Sequence, residues 1–424
     1  MMIARISPGY IKGAITAPAS KSAMQRACAL ALLHRGKTVI QNPGNSNDDL
    51  AALRVIQALG AEVVHENGAI VVLSDGEVKG AGIINCGESG LAFRMFAPIA
   101  ALASSEITLT GEGSLLKRRM HFFDTVFPQL GVEVSSQNGF LPIRIKGPLT
   151  AKDITIDGSS SSQYLTGLLF AFGKTAGQPV EIKVENLKSK PYVDLSILMM
   201  KLFGFDCIND GYLKFKVQYS GDSQTDIFYT TEGDWSGAAF LLVAGAIRGE
   251  VKLRGLDMAS QQADRAIVQV LQSAGASVNF DNNCLHVKTV PALKGFEFDA
   301  TDCPDLFPPL AALAAYCTGR SVIKGVTRLA SKESNRAETL LDVFSKMGAA
   351  ISIEGDTMII EGGKKLVGTT VSSHHDHRIA MAAAIAALGA EGVTLVEDAG
   401  AVNKSYPDFY LHLRFLGATV SLTQ

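Results

Sequence analysis

The sequence is short of charge. Asp, Glu, Lys and Arg make up 19% of its 424 residues, against about a quarter in an average globular chain. The two signs nearly cancel, leaving a formal net charge of −2, so bulk charge leaves no electrostatic footprint for nucleic acid. No run of about 18 apolar residues is present, as a membrane-crossing helix would need. The N-terminal stretch MMIARISPGYIKG lacks the apolar core of a secretory leader. Six cysteines lie far apart with no C-x-x-C pair. That argues for reduced thiols in a cytoplasmic protein rather than a disulfide framework. No low-complexity tract and no Pro/Gly/Ser-rich linker interrupts the chain. With 47% hydrophobic residues and this length, two sizeable cores are expected.

What the chain has instead is repetition. The stretches ALGAEVVHENGAIVV, QLGVEVSSQNGFLPIRI, LFGFDCINDGYLKFKV, SAGASVNFDNNCLHV, KMGAAISIEGDTMII and the truncated FLGATVSL are copies of one pattern. Their shared glycines are Gly60, Gly131, Gly204, Gly275, Gly348 and Gly417, spaced 71, 73, 71, 73 and 69 residues apart. A fixed period of this kind sets the architecture. Residues 342–362 show it best. Val343, Phe344 and Met347 fall at helical spacing, Gly348 suits a left-handed helix stop, and Ile351 and Ile353 alternate as a half-buried strand does. Reading outward from the glycines, the unit is β-α-β-α-β-β. In unit one the pattern predicts strand 15–19, helix 21–34, strand 38–41 and helix 48–59. In unit five it predicts strand 296–300, helix 305–317, strand 321–323 and helix 335–347. The fold class is therefore α/β, with three units on either side of the only tryptophan, Trp235. The expected domains are residues 1–19 with 232–424, carrying repeats four to six, and residues 20–231, carrying repeats one to three. Residues ahead of Lys21 are expected to pair with the later repeats, so that the chain crosses twice.

The hairpins resemble one another, whereas the strand-to-helix junctions diverge and are where chemistry is expected. Lys21 and Arg26 stand near a helix start, the unfavourable end for cations in the helix dipole. Backbone N–H groups with cations at such a start form an anion site; the plain alternative is a solvated helix start. Gly87 and Gly90 allow close backbone approach to a ligand ahead of Arg94, or simply make a turn. Lys117-Arg118-Arg119 is a basic triplet. Residues 158–163, GSSSSQ, offer four hydroxyls and an amide to anionic or hydroxyl oxygens. Ser189-Lys190-Pro191-Tyr192 opens another helix. Cys303-Pro304-Asp305 puts a carboxylate at a helix start. Lys332, Glu333 and Arg336 fall within one turn, and two cations on one face call for an anion. His374-His375-Asp376-His377-Arg378 hints at metal, but no further ligand set stands at suitable spacing, which leaves His377 and Arg378 for base or anion-binding roles. Lys404 lies in the last junction. If the junctions gather at one end of each domain and the domains face one another, Lys21, Arg26, Arg94, Arg119, Lys332, Arg336, Arg378 and Lys404 line one cleft. That implies a small polyanionic ligand set, with the scarce carboxylates Asp305 and Glu333 as candidates for proton transfer.

In order along the whole chain, PASKSAMQRA, SSSSQYL, SKPYVD, EGDWS, KESNRAE, HDHRIAMA and NKSYPDF resemble the motifs of the 5-enolpyruvylshikimate-3-phosphate (EPSP) synthase family. The resemblance implies two inverted, barrel-like α/β domains of three units each. It implies transfer of the enolpyruvyl group of phosphoenolpyruvate to the 5-hydroxyl of shikimate 3-phosphate, with release of phosphate and with no cofactor or metal, by a monomer. By resemblance, Lys21, Ser22, Arg26, Ser161, Ser162, Gln163, Ser189, Tyr192, Asp305 and Lys332 hold shikimate 3-phosphate. Lys21, Gly90, Arg94, Arg119, Gln163, Arg336, His377, Arg378 and Lys404 hold phosphoenolpyruvate. Asp305 takes the hydroxyl proton, while Glu333 and Lys21 protonate the methylene carbon or assist phosphate departure. The sequence departs from the family's N-A-G-T-A-x-R loop at Glu88 and Leu91, and lacks an Asn the family usually carries near Arg328. Glu88 brings negative charge toward an anion site, and glyphosate response is expected to be altered in a direction left open. The related transferase acting on UDP-N-acetylglucosamine is the alternative. Its Lys-Asn start is Lys21-Ser22 here, and residues 111–120 hold no reactive cysteine. A DNA clamp built from α/β repeats would place its cations on an inner helical surface instead.

Overall fold

The computed structural model describes residues 2–80, 82–219, 221 and 225–424. The chain forms two compact units, one of Met1–Pro18 with Gly233–Gln424 and one of Ala19–Glu232. Repeat two shows how each sheet is made. Ile83–Asn85 runs parallel to Glu106–Thr110, which pairs antiparallel with Phe140–Lys146, the inner strand of a hairpin whose outer strand is Glu133–Gln137. A parallel pair needs a long crossover, and helix Gly90–Ala100 supplies it. The same strand order recurs in all six sheets.

The crossover helices form the cores. Every residue of Gly90–Ala100 and His377–Ala387 is buried, as are nearly all of Lys21–Leu33, Ser162–Thr175, Trp235–Arg248 and Phe307–Tyr316. A helix apolar all round belongs in an interior. The second helix of a repeat is two-faced. In Arg336–Lys346, Ala337, Leu340, Val343 and Phe344 are buried while the other side is polar. This arrangement leaves each crossover helix with its N-terminus just beyond a strand end. Side chains at that point are backed by helix N–H groups rather than by core.

The first strands of repeats one and four are exchanged. The strand expected at 15–19 is Ile11–Thr16, and it pairs with Gly249–Arg254 of repeat four. It stops there because Pro18 has no N–H to continue a ladder. The matching edge of the repeat-one sheet is filled by Ile227–Thr230, parallel to Arg35–Gln41. The truncated sixth repeat is completed in the same way: Ile3–Ile6 takes the inner hairpin position beside Val420–Thr423. Two further boundaries move. The helix expected at 305–317 begins as a 3-10 turn, Pro304–Leu306, before Phe307–Tyr316, and Arg336 starts its helix, so Lys332 and Glu333 lie in bends ahead of it.

All six stop glycines have positive φ, from +78° at Gly131 to +111° at Gly60. At Gly348 (φ +89°) an added Cβ would meet only the Lys365 carbonyl, 3.9 Å away, so the requirement is conformational. At Gly362 it is steric, since a Cβ would lie 2.1 Å from the Cys317 carbonyl oxygen. Gly348→Ala is therefore expected to cost about 1–2 kcal/mol, and Gly362→Ala more, because backbone must shift. Denaturant midpoints of the two variants check this; equal midpoints would refute the distinction.

Candidate active site in two halves

In the unit of Ala19–Glu232, polar groups collect at the starts of the crossover helices. Ser20, Ser89 and Ser161 cap them, accepting from the N–H groups of Ala23, Ala92 and Gln163. Lys21 is the first residue of its helix, and its Nζ lies 3.0 Å from Oδ2 of Asp48, which is buried. Arg26, one turn deeper, is 1% exposed. Its Nε donates to Ser196 Oγ (2.8 Å), Nη1 to the Ser22 carbonyl (2.8 Å) and Nη2 to the Tyr192 carbonyl (3.3 Å). Burial pulls its pKa down to about 10. Arg26 thus ties repeat one to the helix Lys190–Leu202 of repeat three, which Ser189 precedes in a left-handed conformation (φ +55°).

The glycine loop is built more tightly than its sequence shows. Gly90 opens an eleven-residue helix, and a Cβ placed on it would lie 2.8 Å from Arg118 Nη1 and 2.9 Å from Arg94 Nη1. Arg94 Nη1 donates to Gln163 Oε1 (2.9 Å), and its guanidinium lies over the Tyr164 ring at 5.5 Å. Two guanidinia at a helix N-terminus, with only a glycine beneath them, suit a small anion. Of the basic triplet it is Arg118 that comes here. Arg119 is exposed and donates to the Asn138 carbonyl at 2.8 Å. Arg119, expected at the site, is thus not brought beside Gly90: the 3-10 turn Gly113–Lys117 sets which of two adjacent arginines points inward. Ser162 and Gln163 follow Ser161 directly at the next helix start.

In the other unit the cations converge on a carboxylate. Lys332 Nζ (3.2 Å) and Arg336 Nη1 (2.7 Å) share Oδ1 of Asp305, and Arg378 Nη2 lies 3.0 Å from Oδ2. The anion that two neighbouring cations called for is, in this state, a side chain of the protein. Burial opposes ionisation of Asp305, yet Arg378, Lys332 and Arg336 together hold its carboxyl well below the ordinary 3.8. Arg336 also meets Glu333 and Asp376; its Nε lies 2.8 Å from Asp376 Oδ2. Burial works against its charge, but Asp376, Glu333 and Asp305 raise its pKa. Asp376 is fully buried and caps the last crossover helix, accepting from Arg378 N–H (2.9 Å). His377, 1% exposed, lies with Nδ1 3.7 Å from Asp376 Oδ1. Ligand atoms of Glu333, Asp376 and His377 fall within 4.8 Å of one another. A metal has the right donors there, but the Arg336 guanidinium already bonds both carboxylates. Lys404, 6% exposed, ends the 3-10 turn Ala399–Lys404.

Sequence reasoning missed four residues: Asp48, Arg118, Asp264 and Asp376. Asp264 is fully buried, accepts a short hydrogen bond from Ser236 Oγ, and is raised to about 7 by burial and by the nearby Asp305. An Asp next to a helix start reads as a cap, which hid Asp48 and Asp376. Nothing in SQQADRA marked Asp264 as interior.

The family model for EPSP synthase (3-phosphoshikimate 1-carboxyvinyltransferase) matches residues 6–413. The chain belongs to the EPSP synthase family. A 3-phosphoshikimate 1-carboxyvinyltransferase of Methanocorpusculum labreanum is 38% identical over 97% of this chain and 98% of its own length. One from Aeropyrum pernix is 35% identical over 98% of this chain and 96% of its own. The solved EPSP synthase of Acinetobacter baumannii superposes with a TM-score of 0.85 at 26% identity, covering all of both chains. The enolpyruvyl transferase NikO of Streptomyces tendae shares the fold, with a TM-score of 0.81 at 17% identity over 100% of this chain and 99% of its own. The two-domain architecture expected for an EPSP synthase is thus the one this chain has.

The depressed Asp305 value sets an acid limb. A carboxyl whose folded value lies below its unfolded one adds stability that is complete above the ordinary value and lost as pH falls through the folded one. Wild-type unfolding midpoints are expected to drop below about pH 4, and Asp305→Asn to lose less on the same acidification. Equal losses would place the acid lability elsewhere.

Proposed function

We propose that this chain transfers the enolpyruvyl group of phosphoenolpyruvate to the 5-hydroxyl of shikimate 3-phosphate and releases phosphate. The observation that carries the reading is the convergence of Lys332, Arg336 and Arg378 on Asp305, within a family whose members are named for that reaction. Both substrates are polyanions, and the helix starts of both units hold buried cations.

The reaction adds an O–H across the enol double bond and then eliminates phosphate. The 5-hydroxyl oxygen bonds to the central enol carbon, its proton goes to Asp305, and the methylene carbon takes a proton from Glu333 or Lys21. The C–O bond to phosphate then breaks, the new methyl group gives up a proton, and the double bond re-forms. A carboxylate flanked by three cations is a weak base. It becomes an effective one when substrate anions draw Lys332, Arg336 and Arg378 away, since its pKa then rises. Ser161, Ser162, Gln163, Ser189, Tyr192 and Lys332 are assigned to shikimate 3-phosphate; Gly90, Arg94, Arg118, Arg336, His377, Arg378 and Lys404 to phosphoenolpyruvate. Ser22 and Arg26 are assigned to the shikimate 3-phosphate end, Arg26 chiefly as the anchor of its walls.

The related reaction on UDP-N-acetylglucosamine is less well supported. The cysteine nearest the glycine loop, Cys86, is fully buried, and burial pushes its thiol up to about 12, which leaves it unreactive. The reading includes a monomeric, cytoplasmic enzyme, and the six free thiols suit the second of these. Among the described residues no helix is long and apolar enough to cross a membrane.

Phosphate release from phosphoenolpyruvate, followed with shikimate 3-phosphate and with UDP-N-acetylglucosamine in parallel, tests the assignment. Release with the first alone is expected, and release with the second alone would overturn it. Asp305→Ala and Glu333→Ala are each expected to lower kcat by about 100-fold or more while the shikimate 3-phosphate complex still forms. Retention of full kcat in either variant would remove that residue from proton transfer.

A further inference from the structure

Glu88 departs from the family's glycine loop, and its charge looks out of place beside two guanidinia. Its carboxylate, however, is engaged with the neighbouring loop of the same repeat. Oε2 accepts from the Ser114 backbone N–H at 3.4 Å. The carboxyl group packs directly on Gly113, where a Cβ would lie 2.5 to 2.7 Å from its atoms. Gly113 also has φ +53°, so both conformation and space require glycine there. Ser114 Oγ in turn accepts from Arg118 Nη2 at 3.2 Å. The other end of that guanidinium lies against Gly90 beside Arg94. The two loops are further laced by Cys86 N–H to the Thr110 carbonyl (3.0 Å), Glu112 N–H to the Gly87 carbonyl (2.7 Å) and Asn85 Nδ2 to Glu112 Oε1 (2.7 Å).

We propose that Glu88 is a positioning residue that acts through Ser114: it fixes the Gly113–Lys117 turn from which Arg118 reaches the anion subsite at Gly90. The inference rests on reading Gly90, Arg94 and Arg118 as the phosphoenolpyruvate subsite. It differs in sign from the reading that sequence alone gives. An acid facing the subsite repels the substrate, and its removal tightens binding. An acid that braces the arginine's turn supports binding, and its removal loosens it. The brace also explains how the loop keeps an acid without losing its anion site, because the carboxylate is engaged with the neighbouring loop.

The test uses the full-length protein with two variants and two readouts. Glu88→Ala removes the acceptor. Glu88→Gln removes the charge but keeps a side-chain oxygen able to accept from Ser114. Glu88→Ala is expected to raise KM for phosphoenolpyruvate about tenfold, with kcat and KM for shikimate 3-phosphate within about twofold of wild type. Glu88→Gln is expected to stay within about threefold throughout. Amide exchange at Ser114 is followed in the same proteins, and should quicken in Glu88→Ala but not in Glu88→Gln. A KM for phosphoenolpyruvate that falls or does not change in Glu88→Ala overturns the proposal, and so does an unchanged exchange rate at Ser114. Absence of phosphate release from the wild type would instead count against the underlying assignment. The exchange readout would then still decide whether Glu88 braces the turn.

Discussion

Three cations end on one carboxylate: Lys332 and Arg336 share one oxygen of Asp305, and Arg378 takes the other. Removing such charges from water is costly unless they are paired and hydrogen-bonded, and much of this unit's polar interior follows from that. Arg336, 1% exposed, needs Glu333 and Asp376 as well as Asp305. Asp376 in turn caps the helix that carries Arg378, so the same carboxylate orders two of the three cations. Each cation serves the others' partner, and no member can leave without exposing a buried charge.

The repeat explains why such a network sits where it does. A parallel strand pair demands a crossover, the crossover helix is apolar all round, and only its N-terminus is left for polar side chains. Five hairpins, and the pair of Ile3–Ile6 with Val420–Thr423 that stands in for a sixth, hold six such starts. The hairpins are constrained by a pleat and a left-handed glycine, and so stay alike. The junctions carry no such constraint beyond a cap, and so are free to diverge into a lysine, a glycine loop, a serine run or an aspartate.

The parts of this design that the sequence showed were those with one physical explanation. Glycine before a hairpin at a fixed period has few uses besides positive φ, and all six sites have it. Cations at a helix start contradict the dipole, so Lys21 and Arg26 stood out. Aspartates in the same places agree with the dipole and so do not stand out, although Asp48 pairs with Lys21 and Asp376 with Arg336. The choice between Arg118 and Arg119 depends on the phase of a five-residue 3-10 turn, which no apolar periodicity reports. Residues ahead of Lys21 were expected to pair with the later repeats, and Ile11–Thr16 lies parallel to Gly249–Arg254; that Ile227–Thr230 fills the matching edge of the repeat-one sheet was hidden for a different reason. Both are edge strands lying parallel to an equivalent neighbour, so either pairing satisfies the same local pattern.

Arg26 and Arg94 in one unit and the cations around Asp305 in the other are satisfied in different ways, and the difference bears on what each can accept. Arg26 and Arg94 are held by neutral oxygens: carbonyls, a serine and a glutamine. These fix geometry without cancelling charge, so a guanidinium such as Arg94 keeps its full attraction for an anion. Lys332, Arg336 and Arg378 share a carboxylate that offsets part of their charge. A ligand entering there must replace that carboxylate as well as bind. A neutral molecule of the right shape would leave Lys332 and Arg378 without that carboxylate, a cost that its contacts would have to offset. A group that brings its own negative charge can take over from Asp305, and on the proposed function that exchange raises the Asp305 pKa toward one at which it can accept a proton. On that proposal, selection for an anionic substrate and activation of the base are one exchange of partners.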